Sequence, residues 1–237
     1  MAQEDEIVAA LSQNRIAISS NFTGTEILVF GAIRRQGPVR MDDLGIIVAI
    51  QGPEVPVTVR RKDRVAGVWA NRDSVDIDRA PSFYAVNTSG PLNEILTQVA
   101  DLRHSISVQR TIRAIGASAR VEDPNNFTEA LVRIRQADRL YQTNIGDIRI
   151  REETLFDTAV SLPANLTEGV YTARIFLTRD GMVIHETSSA IFVEKVGLER
   201  LLYSLAHDDP LIYGLVSILI AAAAGWSASA VFRYLQS

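Results

Sequence analysis

Short apolar runs broken by Gly, Pro and Asn recur from the start of the chain, and each predicts a strand. Ile16–Ser19 leads into a turn at Asn21–Gly24, and Glu26–Arg34 runs into Gln36-Gly-Pro. Asp43–Gln51 stops at Gly52-Pro53, and Pro56–Lys62 alternates less cleanly and ends in charge. Such β-branched runs at roughly ten-residue spacing are the pattern of a β-sandwich. The runs at Glu26 and Asp43 are almost continuously apolar, which predicts strands covered on both faces. Residues 1–88 therefore read as a strand-rich part.

The period then changes from two to about 3.6. Leu92, Ile95, Leu96, Val99 and Leu102 fall at helical spacing, and Pro91 suits a first turn. Asn125–Tyr141 predicts another helix, with Asn126 as N-cap, Glu129 three residues on, and Phe127, Leu131, Ile134 and Tyr141 as the buried stripe. Arg133, Arg135 and Arg139 then point to solvent. Residues 89–144 form a helical insert on this reading.

Strands resume over 145–196, at Ile148–Arg151 and Leu155–Leu162. Val170–Thr178 and Met182–Val193 are joined through Arg179-Asp180-Gly181, and Asp-Gly between two such runs signals a hairpin. Tyr171, Ala173, Ile175 and Leu177 alternate with Val170, Thr172, Arg174 and Phe176, so one face is greasier. The last strand-rich part completes the first sandwich or forms a second. Leu198, Leu201, Leu202 and Leu205 then give residues 197–209 an amphipathic character. The predicted class is mainly β with a helical insert, immunoglobulin-like in its sandwich region, followed by one transmembrane helix.

That helix is the strongest signal in the chain. Pro210–Phe232 is 23 residues without a charge, bounded by Asp208 and Asp209 before it and Arg233 after it. At about 1.5 Å per residue it reaches roughly 34 Å, enough to cross a hydrocarbon core with some tilt. Tyr213 at one end and Trp226, Arg233 and Tyr234 at the other are placed as interfacial residues are. Ser217, Ala221, Gly225 and Ser229 recur every fourth position and lie on one face, where another helix can approach closely. Residues 233–237 form a short tail beyond the span.

Composition narrows the functions more than it names one. The 24 basic and 28 acidic residues are interspersed, for a net charge of −4, so there is no polybasic block for nucleic acid. With no cysteine the chain has no disulfide, thiolate metal site or cysteine nucleophile. Its 3 histidines, His104, His185 and His207, stand far apart, which argues against a histidine metal site. Four Asn-x-Ser/Thr sequons, at Asn21, Asn87, Asn126 and Asn165, carry no weight in a bacterial periplasm. No glycine-rich phosphate loop, Gly-x-Ser-x-Gly, His-Glu-x-x-His or EF-hand loop occurs. Asp42-Asp43 and Glu152-Glu153 are adjacent carboxylates, whose side chains on a strand point to opposite faces. His207 with Asp208 and Asp209 reads as a helix entry. No cofactor or metal site and no enzyme is expected. The one candidate binding cluster is Arg61-Lys-Asp-Arg64 beside Trp69, where arginine donors would pair with an anion. The competing reading is a solvated strand end with a core tryptophan.

Several stretches carry a resemblance. Leu155-Phe156, Leu162-Pro-Ala-Asn165, Gly169-x-Tyr171-Thr, Arg179-Asp-Gly, Val193-x-Lys195-Val-Gly197 and Asp209-Pro-Leu-x-Tyr-Gly214 resemble a family of alphaproteobacterial transmembrane proteins with no assigned activity. Arg61-Lys-x-Arg…Gly67-x-Trp69-x-Asn71…Pro81-Ser-Phe-Tyr84 extends the likeness over nearly the whole chain. The resemblance implies a signal peptide ahead of a periplasmic β-rich domain and one C-terminal span. Met-Ala-Gln-Glu-Asp-Glu then reads as a mature N-terminus exposed by cleavage before Ala2, with Met1 added. On that reading the protein is single-pass in the bacterial inner membrane, with the bulk of the chain periplasmic and the C-terminus cytoplasmic. The competing topology is a tail-anchored protein facing the cytoplasm. Association of the family's genes with sulfite exporters of the TauE/SafE type implies a multispanning partner. Two functions follow as expectations: a non-enzymatic accessory subunit, packed on such a partner or self-associated through its span, and an anion- or small-ligand-binding sensor.

Overall fold

The computed structural model describes residues 5–34, 44–65, 67–113, 123–197, 206–207 and 209–235. Asp42 and Asp43, the leucines of 198–205, Asp208 and the extreme N-terminus lie outside the described residues.

Strands from both ends of the chain are shuffled together. One four-stranded sheet has the order β1 (Glu6–Leu11), β3 (Thr25–Arg34), β10 (Leu155–Leu162), β9 (Arg149–Arg151). A six-stranded sheet has the order β2 (Arg15–Ile18), β12 (Met182–Lys195), β11 (Gly169–Arg179), β4 (Leu44–Gln51), β7 (Tyr84–Thr88), β8 (Tyr141–Ile145). Each sheet thus pairs N-terminal strands with C-terminal ones, so the two strand-rich parts build one structure.

The sheets face one another. Ile27, Val29, Ile33, Phe156 and Val160 of the smaller sheet are buried, as are Tyr171, Ala173, Ile175 and Leu177 of the larger. Three polar links join the layers. The Ile7 amide donates to His185 Nδ1 at 3.2 Å, Arg179 pairs with Asp5, and Asn87 reaches Thr158.

Helices cover the far face of the larger sheet. Gly45 of β4 lies against Ile95 of α1 (Leu92–Ile95), and a Cβ there would sit 2.6 Å from that side chain. Ile47 and Ala49 share the face of Gly45, while Ile46, Val48 and Ile50 take the face turned to the other sheet. That is why β4 is buried along its length. β3 meets a different fate. Ile27, Val29 and Ile33 are buried, but Leu28 and Phe30 are about half exposed, because nothing among the described residues covers the outer face of the four-stranded sheet.

The first predicted helix is two pieces. Leu96 and Thr97 are extended, and Thr97 caps α2 (Gln98–His104) by accepting from the Ala100 amide at 3.3 Å. The Thr97 amide and hydroxyl both donate to the Gly181 carbonyl, so the hairpin turn pulls the break into place. The expected stripe breaks with it: Leu96 and Ala100 are buried, whereas Val99 and Leu102 are exposed. A short α3 (Val108–Thr111) follows. α4 (Pro124–Ala137) begins on Pro124 rather than at an Asn126 cap, and Ile134 is exposed while Phe127 and Leu131 are buried. The helices carry the chain from β7 to β8, which run parallel, unlike the strands of an all-antiparallel immunoglobulin sandwich.

Asp180 and Gly181 have φ of 51° and 73°, the pair of left-handed residues that a two-residue type I′ turn requires. Glu152 and Glu153 also have positive φ and belong to the turn between β9 and β10, so the expectation of a strand there does not hold.

A second compact unit comprises residues 17–21 and 195–237. Within it, the Val196 amide donates to the Ile18 carbonyl at 2.8 Å. Its main element is α5 (Pro210–Leu235). The chain is mainly β with one C-terminal apolar helix.

Candidate functional site

Two elements carry the residues that the sequence singles out. The first is α5. Over Pro210–Ser227 its mean hydropathy is 1.7, and none of that stretch is buried by the rest of the chain. An apolar helix of this length left bare in water would expose far more hydrocarbon than a soluble protein tolerates, whereas lipid solvates it at no cost. Ser217, Ala221 and Gly225 lie on it in four-residue steps, and Ser229, Arg233 and Tyr234 continue the helix. The Ser217 hydroxyl donates to the Tyr213 carbonyl at 2.8 Å, so it is satisfied within its own helix. A Cβ on Gly225 would meet nothing within 4 Å. The face therefore offers close backbone approach rather than a polar hook. Tyr213 and Trp226 are exposed at 40% and 75%.

The second element is a two-stranded ribbon, β5 (Glu54–Val65) and β6 (Val68–Pro81), that belongs to neither sheet. The sequence underread it, because Asp76, Asp78 and Arg79 resemble loop residues, although Val75 and Ile77 alternate with them. Val59, Val75, Ile77 and Ala80 pack with Phe127 and Leu131 of α4 into a small core of their own. Arg61 closes that core: its guanidinium pairs with Asp73 across the ribbon and lies 5.6 Å from the centroid of the Phe127 ring. Arg64 and Trp69 are cross-strand partners farther out, beyond a register shift between Arg61 and Lys62. The three candidate anion-site residues are thus divided, with Arg61 committed to packing and the other two toward the turn.

Other clusters escaped the sequence. Arg174 Nε donates to Glu186 Oε1 at 2.9 Å and its Nη2 to the His104 carbonyl at 2.8 Å, while His104 Nδ1 lies 3.2 Å from Glu186 Oε2. The same guanidinium lies 4.7 Å from the Phe176 centroid, so the cluster pins α2 to the hairpin. The outer face of the four-stranded sheet holds a shallow hollow of about 450 Å³, floored by Val8, Phe30, Ala32 and Leu155. A polar cleft of about 710 Å³ lies between Glu26, Gln136, Arg139 and Gln142. None of these brings a nucleophile to a base. Among the described residues no group of three or more His, Asp or Glu is placed to hold a metal ion.

Burial shapes the tyrosines. Tyr84 is raised well above the ordinary phenol range by burial, against a lowering by Arg174, and its hydroxyl donates to the Ile106 carbonyl at 2.7 Å. Tyr141, also desolvated, is pushed up to about 12 and donates to the Pro81 carbonyl at 2.8 Å. Both hydroxyls act as structural donors.

No curated protein matches the chain in sequence. Among solved structures, the sporulation control protein Spo0M from Bacillus subtilis is similar over 86% of this chain at 9% identity, with a TM-score of 0.29. The chain spans 55% of the Spo0M chain, and a likeness this slight carries no argument. The family comparison covers far more, since one family model runs from the first strand to the end of the apolar helix. Residues 6–234 match the family described as "Putative transmembrane protein (Alph_Pro_TM)", and the chain belongs to that family.

Proposed function

We propose that the protein is a non-enzymatic accessory or interaction protein, a periplasmic β domain held at the bacterial inner membrane by a single span with a cytoplasmic C-terminus. In this reading the span packs on a multispanning membrane partner through Ser217, Ala221, Gly225 and Ser229. One observation carries it: an apolar helix that no other part of the chain covers bears small residues along one face. In lipid, helices associate by close van der Waals packing, and such a face favours it. An exporter of the sulfite or organosulfur type is the partner that the family resemblance implies. The test is affinity purification of the full chain from its native membrane in mild detergent, followed by mass spectrometry. A stoichiometric multispanning protein is the expected result, and recovery alone or as a homo-oligomer would overturn the partner.

An anion- or small-ligand-binding sensor is the alternative. Its support is the cross-strand pairing of Arg64 with Trp69, and the engagement of Arg61 by Asp73 weakens it. A melting temperature unmoved by sulfite, sulfate, sulfonates and phosphate would remove it.

A further inference from the structure

The outer half of the β5–β6 ribbon has no role in the fold described above. The core beneath α4 ends at Arg61 and Asp73. Beyond that pair the strands continue to Val65 and Val68, paired only with each other in a sheet of their own. A two-stranded ribbon without a covered face is marginal in water, so its length needs a reason outside the core. Its composition supplies one. Lys62, Arg64 and Arg72 carry three positive charges against Asp63, with Arg60 close behind and Trp69 opposite Arg64. Lys62 and Arg64 are exposed, and a Cβ on Gly67 in the turn would meet open space. Cationic side chains around a tryptophan suit the headgroup layer of a bilayer, where the ring sits at the interface and the cations meet lipid phosphates.

The chain is already tied to a bilayer. Between Lys195, where β12 ends, and Pro210 lie 14 residues. Fully extended they reach about 50 Å, enough for any face of a domain of this size to meet the surface.

We propose that the distal β5–β6 ribbon is a membrane-docking element, with Lys62, Arg64 and Arg72 engaging the anionic headgroups of the bilayer and Trp69 entering the interface. This docking does not depend on the transporter partner, and either holds without the other.

The experiment uses the full chain carrying Trp226→Phe, which leaves Trp69 as the sole tryptophan of a protein that has 2. The protein is reconstituted into vesicles of phosphatidylcholine, alone or mixed with phosphatidylglycerol, with and without brominated acyl chains that quench tryptophan on contact. The expected result is a blue-shifted, quenched Trp69 emission in the anionic vesicles only, reversed by high salt as exposed charges are screened. Lys62→Gln/Arg64→Gln/Arg72→Gln should lower the ratio of docked to undocked ribbon roughly a hundredfold, given what each cation contributes near an anionic surface. Emission identical in both lipids overturns the proposal. So does quenching that survives high salt, a readout needing no charge variant should the triple variant fail to fold. A blue shift produced by inorganic phosphate over neutral vesicles, matching that of phosphatidylglycerol, would assign the ribbon to a soluble anion and overturn it as well.

Discussion

Asn87 on β7 and Thr158 on β10, 71 residues apart and in different sheets, are joined by a 2.8 Å hydrogen bond in the closed interior of the sandwich. The Asn87 amide nitrogen also lies 2.8 Å from Asp147 Oδ2 and 3.0 Å from the Ala159 carbonyl, and its carbonyl accepts from Asn144 at 3.0 Å. Thr158 in turn donates to Asp147 at 3.1 Å. A buried amide is tolerated only when its hydrogen-bonding capacity is met, and here the partners come from both layers. The network fixes how one sheet sits on the other. It also makes the Asn87 sequon sterically useless, since the side chain is fully buried.

Removing Asn87 should therefore cost more than one hydrogen bond. Asn87→Ala strands Asn144 and Thr158 while leaving a small cavity, and each orphaned buried group costs about 1–3 kcal/mol. A loss of about 3 kcal/mol, some 6–12 °C in Tm for a domain of this size, is the expected outcome by thermal denaturation in detergent. A loss below about 1 kcal/mol would mean that water restores the network.

Gly181 ties the hairpin to the helical layer. With φ at 73° and a prospective Cβ 2.7 Å from Thr97 Cγ2, Gly181→Ala combines backbone strain with a clash. About 1–3 kcal/mol of destabilisation is expected. Gly181→Ala combined with Thr97→Ser, which deletes the clashing methyl but keeps the hydroxyl, should recover part of it. Denaturant titration of both variants checks this.

The buried tyrosines set an alkaline limit. Tyrosine is neutral when protonated, and burial raises Tyr141 from 10 to about 12, so between those values the folded state holds a proton that the unfolded state has released. Stability is full below pH 10 and falls as pH rises toward 12, by about 1.4 kcal/mol per pH unit for each such tyrosine. Tyr141→Phe should flatten this fall while costing about 1 kcal/mol at neutral pH for the lost bond to Pro81. Unfolding midpoints measured from pH 8 to pH 12 test the sign.

Gly225→Leu should release a membrane partner while the β domain melts as before, because a Cβ at Gly225 touches nothing in the chain itself. Co-purification and the melting curve are read on the same sample. Retention of the partner would remove the small-residue face from the contact.

Local chemistry was readable where one residue type dictates one geometry. Asp180-Gly181 specified its turn, and Pro210–Phe232 specified a helix that only lipid or another membrane protein can cover. The runs at Glu26 and Asp43 looked alike, yet Ile47 is sealed between a helical layer and a sheet while Phe30 faces outward. Covering a strand is a property of neighbours distant in sequence, and no local pattern encodes it. Thr97 shows the same limit. Helical spacing ran straight through it, but the Gly181 carbonyl, 84 residues away, takes both its amide and its hydroxyl. The candidate site divided similarly. Arg61, Arg64 and Trp69 are neighbours in sequence, but Asp73 and Phe127 claim the first of them.

The shuffled strand order has a bearing on biogenesis. β3 has β1 beside it early in synthesis, but its other neighbour, β10, emerges some 120 residues later, and β4 waits equally long for β11. Until then their apolar edges are open to mispairing with other chains. Neither sheet is complete until β12 has been made, and the membrane segment follows shortly behind it. Whatever accompanies the nascent chain must therefore shield half-built sheets through most of its synthesis, and a chain cut short before β10 would be sticky waste for proteolysis rather than a smaller working domain.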